Sequence, residues 1–96
     1  MYARLAAFEG GDMEKMRELG EARMASGSPF PDAVRRAVLM ATPDGARRLF
    51  ITFFDTKEEL AAAEDAFEKM GDEVPEEVRG QRVAVEVYDV LVDWAE

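Results

Sequence analysis

The hydrophobic and polar positions of this chain repeat one pattern twice, a strand, a helix and a strand. In the first copy, residues 2 to 8 predict a strand that Gly10-Gly11 stops. Asp12 then begins a helix, because its side chain can accept hydrogen bonds from first-turn amides. Four residues recur at helical spacing and so share one face of this helix: Met13, Met16, Gly20 and Met24. We expect the helix to end near Ser26-Gly27-Ser28-Pro29, and Gly20 to mark close packing against a sheet.

Two further strands follow the Pro29-Phe30-Pro31 segment, at residues 34 to 42 and 46 to 55. Between them lies Thr42-Pro43-Asp44-Gly45, in which proline presets the first turn position and glycine can take a positive φ. Such residues are typical of the turn in a β-hairpin. The two strands are therefore predicted to be antiparallel neighbours.

The second helix begins with a capping box, Thr56-Lys57-Glu58-Glu59, and its apolar face is Leu60, Ala63, Phe67 and Met70. Gly71 is expected to close it. An acidic connector over residues 72 to 80 follows, where Pro75-Glu76-Glu77 predicts a single helical turn. A last strand is predicted from Arg82 to about Asp93.

The order β-α-β-β-α-β predicts an α+β ferredoxin-like sandwich, one domain over residues 1–96, with a four-stranded antiparallel sheet and both helices on one side. Alternation along the strands separates two sets of side chains. The uniformly apolar set is predicted to meet the helices: Ala3, Leu5, Ala7, Leu49, Ile51, Phe53, Val83, Val85 and Val87. The mixed set is predicted on the helix-free side: Tyr2, Arg4, Ala6, Phe8, Arg36, Val38, Met40, Arg48, Phe50, Thr52, Phe54, Ala84, Glu86 and Tyr88.

A helix-free side with so many large apolar groups predicts a partner, because soluble monomers rarely expose more than a few hundred Å² of contiguous apolar surface. A chain of 96 residues also buries only about two thirds of its unfolded surface. Two identical copies packed sheet on sheet would cover the exposed surface of both. We therefore expect a homodimer of the dimeric α/β-barrel type.

The net charge of −9 repels phosphate backbones and anionic membrane surfaces, which argues against nucleic acid and membranes as partners. No apolar run approaches the roughly 20 residues of a spanning helix, and no leader precedes the first strand, so a cytoplasmic location is expected. The chain contains no cysteine, histidine or asparagine. Disulfides, thiolate chemistry and histidine-activated nucleophiles are thereby excluded.

Three segments resemble those of a known family, the antibiotic-biosynthesis-monooxygenase-like proteins of the dimeric α/β-barrel superfamily. They are Met1-Tyr2-Ala3-Arg4 with Phe8-Glu9-Gly10, the run from Leu49 through Asp55-Thr56 to Leu60, and Val85-Glu86-Val87-Tyr88-Asp89-Val90. The resemblance covers the whole chain. It implies a small protein that binds an apolar or aromatic metabolite, with cofactor-free oxygenation as one activity. A non-enzymatic ligand-binding or structural dimerisation module is the alternative.

The missing histidine excludes the haem ligation used by haem-degrading relatives, so no cofactor is expected. Cofactor-free oxygenation needs only a pocket that holds an electron-rich aromatic molecule, deprotonates it and admits oxygen. An enzyme of this kind should have an enclosed cavity of a few hundred Å³ with an ionisable group inside. In a non-enzymatic module, Met16, Met24, Phe67 and Met70 should fill that space.

Arg4, Glu86 and Tyr88 are the candidates for chemistry. Arg4 and Glu86 share the predicted helix-free side on neighbouring strands, where they either form a structural ion pair or make Glu86 a general base with a raised pKa. Tyr88 and Tyr2 offer hydroxyls to a ligand. No metal site is expected, since the acidic connector lacks the spacing and central glycine of a calcium loop.

Phe50, Phe54, Phe67 and Met70 are the candidate ligand-binding residues, as apolar walls of a pocket, although core packing explains the same four residues equally well. Trp94 either anchors the end of the chain across a partner subunit or stacks on a ligand. No glycine spacing of a phosphate-binding loop is present around Gly10-Gly11.

Overall fold

The strands and helices follow one another in the predicted order. The computed structural model describes residues 1–27 and 30–95; the predicted features at Ser28 and Pro29 lie outside this range. Its elements are β1 (Tyr2–Glu9), α1 (Met13–Ala25), β2 (Arg36–Ala41), β3 (Arg47–Phe54), α2 (Lys57–Asp72), the single turn α3 (Glu76–Arg79) and β4 (Gln81–Asp89). The strands form an antiparallel sheet in the order β2-β3-β1-β4. This is the ferredoxin-like fold.

Local hydrogen bonds confirm the predicted helix starts and the β2–β3 turn. The Asp12 carboxylate accepts from the Lys15 amide at 3.1 Å, at the start of α1. The Thr56 hydroxyl accepts from the Glu59 amide at 3.1 Å, at the start of α2. In the β2–β3 hairpin the Gly45 amide donates to the Thr42 carbonyl at 2.8 Å, and Gly45 has the positive φ, 75°, that the turn requires.

Two predicted ends are wrong. Helix α2 continues through Gly71 to Asp72, and Gly71 does not take the positive φ of a glycine helix terminus. Strand β4 ends at Asp89 instead of Asp93. Its neighbour β1 begins at Tyr2, which pairs with Asp89, and one more backbone bond, from the Val90 amide to the Met1 carbonyl, ends the ladder. The strand has no partner beyond that point among the described residues.

The side of the sheet that carries the helices, here called the helix side, was predicted wrongly for the two central strands. Tyr2, Arg4, Ala6 and Phe8 of β1 lie on the helix side with Arg48, Phe50, Thr52 and Phe54 of β3. Phe54 is fully buried in a core cluster with Leu60, Ala63 and Phe67 of α2. The prediction failed because uniform apolarity was taken to indicate the core, whereas the more apolar side of this sheet faces away from the helices.

The opposite side, here called the open side, carries no helix of the described chain. Strand pairing places these residues on it: Ala3, Leu5, Ala7, Arg36, Val38, Met40, Leu49, Ile51, Phe53, Ala84, Glu86 and Tyr88. For β2 and β4 this agrees with the predicted helix-free set. A β-bulge between Ala7 and Phe8 brings Ala84 opposite Ala7 but Arg82 opposite Phe8, which leaves Val83 as the extra residue.

Arg4 and Glu86 consequently lie on opposite sides of the sheet, and their predicted pairing is wrong. The residue opposite Glu86 is Leu5, while Arg4 lies opposite Val87. A shift of one residue in the register between two strands reverses the side on which every residue of one strand lies relative to the other.

In the described part of the chain, no helix has both the length and the apolarity that a membrane span requires.

Candidate functional site

A cavity of about 840 Å³ lies between α1 and the helix side of the sheet, reaching under α2. It exists because α1 stands away from the sheet, and none of the helix's own residues is buried. Gly20 shows this directly. It lines the cavity, and a Cβ built on it would meet no described atom within 4 Å, so the predicted close packing at Gly20 is wrong. The volume is in the range of small-molecule sites, about 300–1,000 Å³.

Aromatic and methionine side chains form the apolar walls of this cavity: Phe8, Phe30, Phe50, Phe67, Met16, Met24 and Met70. The rings are packed on one another. Phe50 lies edge-on to Phe67 with centroids 6.1 Å apart, and Phe30 is 5.8 Å from Phe50. The methionines line the space without filling it. Such walls suit a flat, apolar molecule of small size.

The structure brings three of the four predicted wall residues together. Phe50, Phe67 and Met70 line the cavity, whereas Phe54 does not. Phe54 lies at the end of β3 under α2, with its ring 6.2 Å from that of Phe67, and is fully enclosed by the core cluster. Phe54 is the last residue of β3, and α2, which begins at Lys57, covers that end of the strand.

Arginine dominates the charge of the cavity. The chain has nine arginines, and all of them except Arg47 contribute to the lining described by the structure. The acidic residues in the same lining are Glu21 and Glu68. Five of these eight arginines form ion pairs with carboxylates: Arg4, Arg17, Arg23, Arg35 and Arg82.

Arg4 is held inside by an ion pair with α2. Its side chain is almost fully buried, its Nε donates to Glu64 Oε1 at 2.8 Å, and its guanidinium lies 4.8 Å from the centroid of the Phe67 ring. Glu64, and not the predicted Glu86, therefore supplies the counter-charge. A buried arginine with both a carboxylate and an aromatic face is well compensated for the loss of water.

Arg48, unlike Arg4, is buried without an ion-pair partner among the described residues. It lies on β3 opposite Phe8 and points under the turn between β1 and α1. Its Nη2 donates to the Arg79 carbonyl at 2.6 Å, while its Nη1 is buried and has no hydrogen-bond partner among the described residues. Arg79 Nε is likewise buried and without an acceptor in that part of the chain.

Two glycines create the space around the Arg48 guanidinium. A Cβ on Gly11 would come within 2.9 Å of Arg48 Nη2, and one on Gly80 within 2.7 Å. Both glycines have positive φ, 79° and 77°, so the two turns cross closely over the arginine. Sequence reasoning missed Arg48 as a site residue. The available signal was its alternation with Phe50 on the same side of β3.

Glu86 and Tyr88 are outside the cavity. Both are exposed on the open side, where the Tyr88 hydroxyl donates to Glu86 Oε2 at 2.7 Å. This hydrogen bond is the main reason that the pKa of Tyr88 is raised above its ordinary value, since it stabilises the protonated phenol. Tyr2 packs against the core cluster, and Trp94 is 86% exposed.

Glu68 lines the cavity close to Arg82, whose Nη1 donates to Glu68 Oε1 at 2.7 Å. That hydrogen bond and the positive charge of Arg82 hold the pKa of Glu68 below its ordinary value. A carboxylate tied in this way is a poor proton acceptor near neutral pH.

Among the described residues, no cluster of three or more histidine, cysteine, aspartate or glutamate side chains is arranged to hold a metal ion.

Comparison with solved structures supports the fold. The chain superimposes on a solved structure, "Structure of Rv0793 from Mycobacterium tuberculosis". The TM-score is 0.66 and the sequence identity 20%, over 98% of each chain. At this identity the similarity establishes the ferredoxin-like architecture over the full length. No protein-family model matches the sequence, and the comparison with curated proteins found no relative.

Proposed function

We propose that the protein binds a small aromatic or apolar metabolite in the cavity on the helix side of the sheet. The observation that carries this proposal is the space of about 840 Å³ walled by phenylalanine and methionine side chains. A core selected for stability alone would close such a space, because protein interiors pack as densely as organic crystals. The separation of α1 from the sheet keeps it open.

Cofactor-free oxygenation of the bound molecule is the activity that the resemblance to the monooxygenase-like family suggests. This reaction needs a group that removes a proton from the substrate. Glu86 does not serve, because it lies on the open side, and the hydrogen bond from Arg82 lowers the pKa of Glu68 and so weakens it as a base. Binding is therefore the function that the geometry supports best, and oxygen uptake in the presence of a bound quinol tests whether turnover accompanies it.

A thermal-shift screen tests the binding proposal, with quinols, flavonoids and 2-naphthol as compounds. We expect at least one of them to raise the Tm of the wild-type protein. Gly20→Phe should abolish the shift, because the ring would occupy free space in the cavity, whereas Gly20→Ala should retain it. The alanine variant controls for effects of the substitution on helix stability, which are about 1 kcal/mol in the stabilising direction. Absence of any shift in the wild-type protein would refute the proposal.

We also propose that the protein is a homodimer that packs its open sides together. The open side presents Leu5, Leu49, Ile51 and Phe53 at its centre, all only half-buried in the single chain. The core of that chain is small, and half of its buried apolar residues are alanines. The face carries opposite charges on its two outer strands, Arg36 on β2 and Glu86 on β4. A twofold axis parallel to the strands would stack β2 of one copy on β4 of the other and bring these charges together.

Sedimentation velocity at micromolar concentration tests this assembly. The proposal predicts a species of twice the 10.7 kDa chain mass. A stable species at the mass of one chain would contradict it.

A further inference from the structure

We propose that the ligand of the cavity is an organic carboxylate whose anionic group binds Arg48. The inference deepens the proposed function and rests on it, since it assigns the chemical class of the molecule that the cavity takes. Its starting point is a guanidinium group that the fold buries and leaves without a counter-charge.

Arg48 is 2% exposed, yet no carboxylate of the described residues lies within 4.0 Å of it. Its Nη1 has no acceptor among the described residues, and its Nη2 donates to a neutral carbonyl, that of Arg79. Burying a charge without a partner is strongly unfavourable. A guanidinium cannot lose its charge at physiological pH, and a bound anion would supply the counter-charge that no described residue provides.

Five of the other lining arginines have counter-charges; Arg36 has none among the described residues but lies over the Phe53 ring on the open side. Arg4 is as deeply buried as Arg48 and has Glu64 at 2.8 Å. Arg17, Arg23, Arg35 and Arg82 each have a carboxylate within 4.0 Å. Arg48 and Arg79 are different, because neither has an ion-pair partner in the described ranges and each has a buried guanidinium nitrogen without an acceptor. The two lie at the same end of the cavity, since Arg48 bonds the Arg79 carbonyl.

The surroundings of Arg48 indicate what the rest of the ligand is like. Phe8 lies directly opposite Arg48 in the β1–β3 pairing, and Phe50 follows two residues later on the same side of β3. Both phenylalanines line the cavity. A molecule with its carboxylate at Arg48 would therefore lay an apolar or aromatic body over these rings. Carboxylate and guanidinium match in shape and charge, which makes this pairing stronger than a neutral hydrogen bond.

Calorimetric titration with two probes of the same shape tests the inference. The probes are 2-naphthoate, which carries the carboxylate, and 2-naphthalenemethanol, which is neutral. We expect the wild-type protein to bind the carboxylate at least about tenfold more tightly, as for one hydrogen bond to a charged group. Arg48→Gln should remove that preference, so that the variant binds the two probes with similar affinity. Arg47→Gln is the matched control, since Arg47 is the exposed neighbour outside the cavity lining and should change neither affinity.

Arg48→Lys provides a second variant that keeps the positive charge, should the glutamine variant fail to fold. It is expected to retain the preference for the carboxylate in reduced form, because lysine lacks the planar fork of donors. Equal binding of the two probes by the wild-type protein would overturn the inference while leaving the proposed function intact. Binding of neither probe would overturn both. Competition by inorganic phosphate as strong as that by 2-naphthoate would also overturn it, because the apolar body would then contribute nothing.

Discussion

Arg4 and Arg48 both lie on the helix side of the sheet, and both are almost completely shielded from solvent. The hydrophobic pattern could not predict this, because it assigns charged residues to exposed positions. Both arginines also belong to the cavity lining, where a small number of polar groups among apolar walls is typical of ligand sites. The predicted wall residues Phe50, Phe67 and Met70 were accessible to sequence reasoning because their apolarity is the same in a core and in a pocket.

The ion pair of Glu68 with Arg82 yields a prediction at the same scale. Arg82 lowers the pKa of Glu68 from the ordinary value of 4.5, so this carboxylate stabilises the folded protein above about that pH, and the stabilisation is lost as the pH falls through the lowered pKa. Arg82→Gln should raise the pKa of Glu68 towards 4.5. Carboxyl ¹³C chemical shifts followed through an acid titration measure this directly.

Arg47→Gln serves as the control for that titration, because Arg47 is not among the groups that shift the Glu68 pKa. The pKa of Glu68 should be the same in this variant as in the wild-type protein. An unchanged Glu68 pKa in Arg82→Gln would show that the ion pair does not form in solution.

Among the elements, the starts of both helices and the β2–β3 hairpin were predictable, because Asp12, Thr56 and Gly45 act on backbone groups within four residues of themselves. The side of the sheet on which a strand residue lies depends instead on pairing between distant segments. One register difference between β1 and β4 separated Arg4 from Glu86, and no local signal reports it. The separation of α1 from the sheet could not be predicted from the hydrophobic pattern either, because a helix over a cavity has the same apolar stripe as a helix packed on a core.

The crossing of two turns over Arg48 gives a prediction at the scale of elements. Gly80→Ala should be strongly destabilising, because its Cβ would lie 2.5 Å from the Glu9 carbonyl oxygen and 2.7 Å from that of Gly10. Gly10→Ala is the matched control. Gly10 has nearly the same φ, 74°, but no described atom lies within 4 Å of the Cβ position.

Urea unfolding compares the two variants, and the further loss at Gly80 combines the steric clash with the strain of its ψ of −169°, a backbone region essentially restricted to glycine. Gly10→Ala should lower the free energy of unfolding by about 1 kcal/mol, the cost of a left-handed backbone for alanine. Gly80→Ala should lower it by roughly 1–3 kcal/mol more, as for an overpacked site. Equal losses in the two variants would mean that the turns do not approach each other as closely as described.

At the scale of the whole molecule, the predicted topology is confirmed, and the proposed dimer explains what the single chain leaves exposed. Leu91, Val92 and Trp94 follow β4 with more than four fifths of their surface in solvent. The open side is an apolar surface that a second copy can cover. The homodimer stays a prediction of sequence patterning, which assigned the wrong residues of β1 and β3 to the surface.

A charge placed at the centre of the open side tests the assembly by mutation. Ile51→Lys should shift the protein from dimer to folded monomer, because a lysine there would have to be buried without a partner between two sheets. Ala62→Lys, on the exposed surface of α2, should remain dimeric. Sedimentation gives the mass and far-UV circular dichroism checks the fold. A dimeric Ile51→Lys variant would place the interface elsewhere.

The claim that the helix-side cavity binds a small aromatic molecule is tested most directly by the methyl resonances of the methionines. Met16, Met24 and Met70 line the cavity, whereas Met40 lies on the open side and serves as an internal control. Titration of methyl-¹³C-methionine-labelled protein with 2-naphthol should shift the first three resonances through ring currents and leave that of Met40 in place. Shifts confined to Met40, or no shifts at saturating 2-naphthol, would contradict the account.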